Sequence, residues 1–558
     1  MTLSVNLYNP RFALVQKLIA ALFLENYGDF KTHCTYQHGQ LLVRLDSHSH
    51  LVFACQFNPE NMVPYAITEP DIYIQKQNQQ PTSVSLTSLM SHFIESHWWP
   101  VGDSQRVLSK WHEVVQTVDL LAQQAPVSQA TDLFEWLALV IDRPNHPFAH
   151  AKASLLSVLE NWTEQQVHWW AFPQEQVFTR QSKVAYHLLL NDSQQQYLQA
   201  KLTDLGDDYI ALPLLASQIV LAREIPASRD LEFTSELGLA TSSLRTFCHP
   251  NDLLVHIKMA SSATPLGAMR TMPPRYLYNG DCAYALLQDI LQRSKTLTQN
   301  VKLCDERQWW SLSTHRDMLQ CKGEIGVQLR CLPAHDKQLV LSMAALNHPY
   351  AWHMLAQSGV NTQQFFTNLC QRFVQVGMNF LHYGVVPECH GQNIILYIND
   401  HDDFTFVLRD HDSLRICPQQ LTANKLALPD YQINWHTPNT LVLPDLTELA
   451  KYFITLGLQV NLYPIAKAMP QGGDEQAFWR RLHLDIETCL EQINDEAFTA
   501  WAQRHVLDAK LWPFKAVLAP LFGAADDVTG MPSAMSTIIN PLISVTQCRQ
   551  ERVRDFAN

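Results

Sequence analysis

The stretch from Ile394 to Leu408 limits the fold more tightly than any other. Ile394-Ile395-Leu396-Tyr397-Ile398 and Phe404-Thr405-Phe406-Val407-Leu408 are two strand-like apolar runs. Between them stand Asn399, Asp400, His401, Asp402 and Asp403, whose short polar side chains bond to nearby backbone and favour turns. A hairpin follows. If the strands pair about residue 401, positions whose numbers sum to roughly 802 or 803 face each other. That puts Asn393 beside Arg409 and Asp410, so an amide oxygen and a carboxylate leave the same end of the hairpin. Such a pair suits a magnesium ion that takes its other ligands from nucleotide phosphates, and protein kinases pair an Asn with a later Asp in this way. An exposed hairpin with polar ends is the alternative. Against it, the first strand is entered through His390-Gly391-Gln392-Asn393, and a ring base, a glycine and two amides rarely cluster for packing alone.

A second constellation lies upstream, in SSLRTFCHPNDLLVHIKMASSATPLGAMR (242–270). His249-Pro250-Asn251-Asp252 reads as a turn. Pairing about it sets Ser243 opposite Lys258 and Arg245 opposite His256, all four on one face. Thr264-Pro265 is a good N-cap and first position for a short helix that delivers Arg270. Arg245, Lys258 and Arg270 then converge on one surface, which suits a polyphosphate. A solvated charged strand face is the plainer reading.

Bulk properties narrow the class. A chain of 558 residues exceeds one hydrophobic core, so about two to four domains are expected. Apolar residues at 47% and charged residues at 17% argue against extensive disorder. A net charge of −13 argues against general nucleic-acid binding and leaves room for a local cationic pocket. The cysteines are scattered with no CxxC pair, so free thiols in a reducing compartment are expected. The run FALVQKLIAALFL (12–24), interrupted by Lys17, fits an amphipathic first helix better than a signal peptide. No stretch approaches about 18 uninterrupted apolar residues, so no membrane span and a cytoplasmic location are expected.

Residues 1–140 read mostly as helix, with a few strands such as LLVRLD (41–46). Residues 178–275 shift to short apolar runs broken by turn residues, and 350–382 are helical again. The aromatic pairs Trp98-Trp99, Trp169-Trp170 and Trp309-Trp310 are assigned to core.

With SSLRT, HIKMASSATPLGAMR, ECHGQN and LRDHDSL in this order, the chain resembles the NRPS-independent siderophore synthetases, the aerobactin-synthetase-like IucA/IucC family, over about residues 140–545. The resemblance implies an α+β fold shaped as a cupped hand. Its parts would be a mostly helical thumb (1–150), β-rich fingers carrying the phosphate-binding strands (151–345), and a mixed palm with a kinase-like nucleotide-binding hairpin (346–558). It implies an ATP- and magnesium-dependent ligase. Such an enzyme activates a carboxylate, citrate or a related acid, as an acyl-adenylate and joins it to an amine or alcohol. Ser243, Arg245, Thr246 and Lys258 would hold the ATP phosphates, and Gln392 and Asn393 the nucleotide. Arg270 would bridge phosphate and acid, and His390 would contact the acid. Asn393 and Asp410, with Glu388 as a weaker candidate, would serve magnesium. His146, Lys152 and Lys515 would belong to substrate recognition. Partners would be small molecules, and a homodimer is possible for the family.

Two segments depart from the family pattern. NHPFAHAKAS (145–154) keeps His146, Pro147 and Lys152 but lacks the leading glycine, the second His-Pro and a later basic residue. Lys515 is followed by Pro520 about where an arginine is usual. These departures touch the choice of acid and nucleophile more than the ATP chemistry. Three other readings compete: a small-molecule kinase, a non-catalytic ATP-binding relative, and an iron reductase, since the family's C-terminal part is related to ferric-siderophore reductases. The last needs clustered cysteines, which this chain lacks.

Overall fold

Asn9, Pro10 and Asn26 bound the first helix, Pro10–Glu25. The Asn9 side chain accepts the N–H groups of Arg11 and Phe12 at 3.0 and 3.3 Å, and Asn26 closes the helix in the left-handed conformation. The computed structural model describes residues 8–123, 130–152, 156–160, 165–180, 184–261, 270–313, 315, 317–436, 439–470, 474–523 and 534–543. After the first helix comes an antiparallel meander through Cys34–Gln37, Gln40–Arg44, Ser49–Phe57, Tyr65–Lys76 and Thr82–Ser83. The N-terminal region therefore holds more strand than its pattern suggested. Ser49–Phe57 is buried at most of its positions, so it shows no alternation by which to tell a strand from a buried helix. The helix Ser104–Gln123 falls in the stretch read mostly as helix. These elements enclose a first core, which Val517, Leu518 and Leu521 complete from the far end of the chain.

A second core lies under two sheets. One has three strands in the order Tyr209–Leu214, Gln165–Pro173, Arg229–Leu237. The other has five, in the order Thr246–His249, Asp252–Met259, Gly326–Cys331, Asp305–Leu312, Val177–Thr179. The expected register of the hairpin around residue 250 is corrected here. His249 does pair with Asp252, but the register shifts between Cys248 and His249, and beyond that bulge Thr246 faces Lys258 and Cys248 faces His256. Ser243 and Arg245 lie before the strand, in a turn where Leu244 takes φ 57°. A bulge adds residues to one strand without marking the sequence. The helix expected to open at Thr264-Pro265 lies outside the described residues.

The third core surrounds a four-stranded sheet in the order Val301–Leu303, Phe404–Leu408, Ile394–Ile398, Leu339–Ser342. The predicted hairpin is present, with Ile394 opposite Leu408 and Ile398 opposite Phe404. Helices Pro274–Arg293, Thr362–Tyr383 and Glu475–Ile493 pack around it, with a π-helical segment, Phe453–Leu462. Helix Ala130–Ile141 joins two cores, giving Phe134, Leu137 and Ala138 to the third and Trp136, Leu139 and Val140 to the second. The Trp169-Trp170 and Trp309-Trp310 pairs are core, and Trp98 is buried. Every described cysteine is a free thiol. No described helix is long and apolar enough to cross a membrane.

Candidate active site

The end of the hairpin carries an unusual backbone. The Arg409 N–H donates to the Asn393 carbonyl at 3.1 Å, closing the ladder. The next residue, Asp410, turns into the left-handed region at φ 61°, ψ 58°, a conformation that costs an L-residue about 1–2 kcal/mol. The turn presents its carboxylate to two cations. Lys258 Nζ lies 2.5 Å from Asp410 Oδ1, and an Arg330 terminal nitrogen lies 2.7 Å from the same oxygen. Burial disfavours ionising Asp410, yet Arg330, Lys258 and Arg409 hold its pKa well below the usual carboxylate range. Asp412, 3.8 Å from Lys258, is shifted upward by burial and by the nearby Asp410, Glu306 and Glu388.

Asn393 donates to Glu388 at 3.2 Å, and the Ser413 hydroxyl donates to the same Glu388 oxygen at 2.9 Å. Burial opposes the charge of Glu388, but His390, Arg415, Lys515 and Arg143 together bring its pKa down to about 2. Two ionised carboxylates and an amide thus stand around one end of the hairpin, and all offer oxygen, the donor a hard divalent cation takes.

The cationic side converges despite the shifted register. Arg245 donates to the carbonyl of Arg270 at 3.0 Å, and Met259 N–H donates to the carbonyl of Arg245 at 2.9 Å. Asp410 and Asp412 both act on the Arg245 charge. Burial lowers Arg270 to about 9, helped by the neighbouring charges of Arg245 and Arg143. Ser243 shares a hydrogen bond of 3.2 Å with Thr241, and Thr246 is buried opposite Lys258. The two sides also touch directly, where Gln392 donates to the Ser242 hydroxyl at 3.2 Å.

Next to this contact opens a pocket of about 890 Å³, counting the solvent space at its mouth. His146, Glu388, His390, Gln392 and Lys515, all singled out from sequence, line it with Asp142, Arg143, Asn347 and Gln459. Gly391 is required there by close approach. A Cβ would lie 2.8 Å from the Ala344 nitrogen and 2.9 Å from the Asn461 side-chain oxygen. His390 caps the short 3₁₀ turn Gly391–Asn393, its Nδ1 accepting the Gln392 N–H at 3.3 Å. Burial lowers the His390 pKa to about 4 against the opposing pull of Glu388. His146 accepts the Phe148 N–H at 3.2 Å, and its Nε2 is buried with no partner, as is the Asn347 side-chain oxygen. Lys515 is lowered to about 8 by burial and Arg143. Unpaired polar atoms facing a cavity are what a polar ligand would satisfy.

Lys152, expected in substrate recognition, does not line the pocket. It stands behind the wall, paired with Asp142 at 2.5 Å. Sequence reasoning missed Arg143, Asn347, Gln459 and Arg330. Arg143 stood three residues ahead of His146. Arg330 lay in GVQLRC, where a charged residue inside an apolar strand was the only signal. Asn540, in the terminal Asn-Pro-Leu, is structural, donating to the carbonyls of Val506, Leu507 and Ala509 at 3.1, 3.1 and 2.8 Å.

The fold is shared with solved siderophore enzymes. The chain superposes on the petrobactin biosynthesis protein AsbB of Bacillus anthracis with a TM-score of 0.78 at 16% identity, covering 98% of this chain and 96% of that one. The aerobactin synthetase IucC of Klebsiella pneumoniae gives 0.71 at 17%, covering 95% and 97%. The ATP-bound aerobactin synthetase IucA of the same organism gives 0.68 at 17%, covering 94% and 99%. By sequence, the chain is 29% identical to the staphyloferrin B synthase of Staphylococcus aureus, covering 95% of this chain and 97% of that one. Residues 138–348 match the IucA / IucC family, and residues 363–527 match the ferric iron reductase FhuF-like transporter family.

Proposed function

We propose that this protein is an ATP-dependent siderophore synthetase. It activates a carboxylic acid, citrate or a related polycarboxylate, and condenses it with an amine or alcohol. A carboxylate oxygen attacks the α-phosphorus of ATP, forming the acyl-adenylate and releasing pyrophosphate. The amine or hydroxyl then attacks the acyl carbon, loses its proton and releases AMP. The observation that carries this reading is the 2.5 Å contact of Lys258 with Asp410. It brings the cationic strands to the oxygen-rich hairpin end, beside the pocket.

Two anions must meet in the first step, and fixed positive charge lowers their repulsion. In this reading Ser243, Arg245, Thr246 and Lys258 bind the phosphates, and Gln392 and Asn393 orient the nucleotide. Arg270 lies between phosphate and acid. His390, His146 and Lys515 receive the acid, with Lys152 supporting the wall through Asp142. Asp410, Glu388 and Asn393 would hold magnesium, which supplies positive charge to the phosphate oxygens when bound. The hand-like division into thumb 1–150, fingers 151–345 and palm 346–558 belongs to the same proposal, as does a cytoplasmic location where ATP is available.

The match to the iron-reductase family brings no cysteine cluster for an iron–sulfur centre among the described residues. Cys370, Cys389, Cys417 and Cys489 are buried free thiols, and none of them belongs to a compact group of possible metal ligands among the described residues. The deciding experiment is a pyrophosphate-release screen of carboxylic acids, each crossed with diamines, amino acids and amino alcohols. AMP and pyrophosphate that appear only with an acid present support the synthetase. ADP would make the protein a kinase, and ATP binding without turnover on any pair would make it non-catalytic.

A further inference from the structure

Glu306 and Arg330 do not line the pocket, yet they grip the turn that carries Asp410. Both belong to the five-stranded sheet, on Asp305–Leu312 and Gly326–Cys331. Asp410 follows a strand of the four-stranded sheet. Glu306 Oε1 accepts the backbone N–H of Asp410 at 3.0 Å, and its Oε2 accepts that of His411 at 3.1 Å. Arg330 donates through Nε to Glu306, and its terminal nitrogen reaches Asp410 Oδ1 at 2.7 Å. Glu306 is 5% exposed and Arg330 1%.

Two successive N–H groups aimed at one carboxylate is a geometry that the extended backbone cannot supply. Here the turn at the left-handed Asp410 supplies it. Each buried oxygen of Glu306 is thus bonded to the strained turn, and Arg330 balances the charge that this buries. A pair kept only to brace the sheet would have no reason to reach across to another sheet's loop.

We infer that Glu306, with Arg330, is a positioning residue for Asp410. It holds the turn so that the carboxylate points toward Lys258 before any ligand arrives. When Lys258 turns to a phosphate, Arg330 keeps Asp410 in place. This rests on the proposed role of Asp410 as a magnesium-facing carboxylate.

The test uses Glu306→Gln, which keeps the shape and one acceptor. It is paired with Glu306→Gln/Arg330→Gln, which leaves no lone buried charge and guards against misfolding. Hydrogen exchange of the peptide spanning 404–414 is measured by mass spectrometry, and the magnesium needed for half-maximal ATP binding is measured by calorimetry. Both variants are expected to exchange faster at Asp410 and His411, with the 394–398 strand unchanged. The magnesium midpoint should rise about tenfold to a hundredfold, the usual effect of removing an outer partner of a metal ligand, while ATP still binds at saturating magnesium. Unchanged exchange and an unchanged midpoint overturn the inference, whether or not thermal stability falls. Asp410→Asn is run beside them. If that variant keeps the wild-type magnesium dependence, the role given to Asp410 fails, and the exchange data alone still judge the clamp.

Discussion

At His390 one backbone contact decides what the ring can do. The Gln392 N–H points at Nδ1, so the neutral ring carries its proton on Nε2 and is a donor. A free imidazole titrates near 6.5. Burial instead holds it at about 4, because a buried imidazolium is costly. A donor of this kind suits a carboxylate substrate. His390→Ala is expected to raise the Michaelis constant for the acid and to slow adenylation on the order of a hundredfold, with ATP affinity little changed. Calorimetry with ATP, beside acid-dependent pyrophosphate release, checks this. Lost ATP binding with intact acid kinetics would instead make His390 a brace for the turn. A second test concerns His150, buried with Nε2 3.1 Å from the Val140 carbonyl and lowered to about 3, mainly by burial. A folded-state value below the unfolded 6.5 means that the unfolded chain binds the proton first. The protein should therefore lose stability as pH falls from about 6.5 toward 3, by about 1.4 kcal/mol per pH unit for each such histidine. His150→Met should flatten the slope of unfolding free energy between pH 6 and 4 by that amount. An unchanged slope in denaturant titrations would refute it.

At the scale of elements, legibility followed how local the cause was. The 394–408 hairpin was readable to within one residue of register because its turn is written in Asn, Asp and His. The 246–259 pair was not, because the bulge beside His249 leaves no mark in the sequence. Arg245 still reaches the Arg270 backbone carbonyl from the preceding turn, while Lys258 meets Asp410. Arg245→Ala and Lys258→Ala are each expected to weaken ATP use roughly tenfold to a hundredfold, as for a lost charge-assisted hydrogen bond. The thermal midpoint should stay close to wild type for Arg245→Ala, and wild-type activity in both variants would remove the phosphate assignment. Gly391 opens the 3₁₀ turn Gly391–Asn393, and the approach of Ala344 and Asn461 leaves no room there for a Cβ. The π-helical segment Phe453–Leu462 was invisible. It supplies Leu456, Gln459 and Val460 to the pocket wall, and Asn461 donates to the Cys389 carbonyl at 3.0 Å beside His390. Wide helical turns of this type occur at functional sites, but nothing in FITLGLQVNL distinguishes them from an apolar α-helix.

For the whole molecule, the two matched family segments do not correspond to two self-sufficient bodies. The third core takes Phe134, Leu137 and Ala138 from one helix and Ala283, Leu286, Leu287 and Ile290 from another. Each buried apolar side chain is worth about 1.5–3 kcal/mol, and a domain's net stability is only about 5–15 kcal/mol. Residues 346–558 made alone are therefore expected to show no cooperative thermal transition, and a sharp calorimetric peak from that fragment would overturn this. The first core carries a further consequence. It is finished by residues near the other end of the chain, where Glu25 accepts the N–H of Val517 at 2.7 Å across 492 positions. On the ribosome those positions take on the order of 25 to 100 s to make. The part of the protein that is born first therefore waits longest for its last wall, and an apolar helix left open that long is natural cargo for a nascent-chain chaperone.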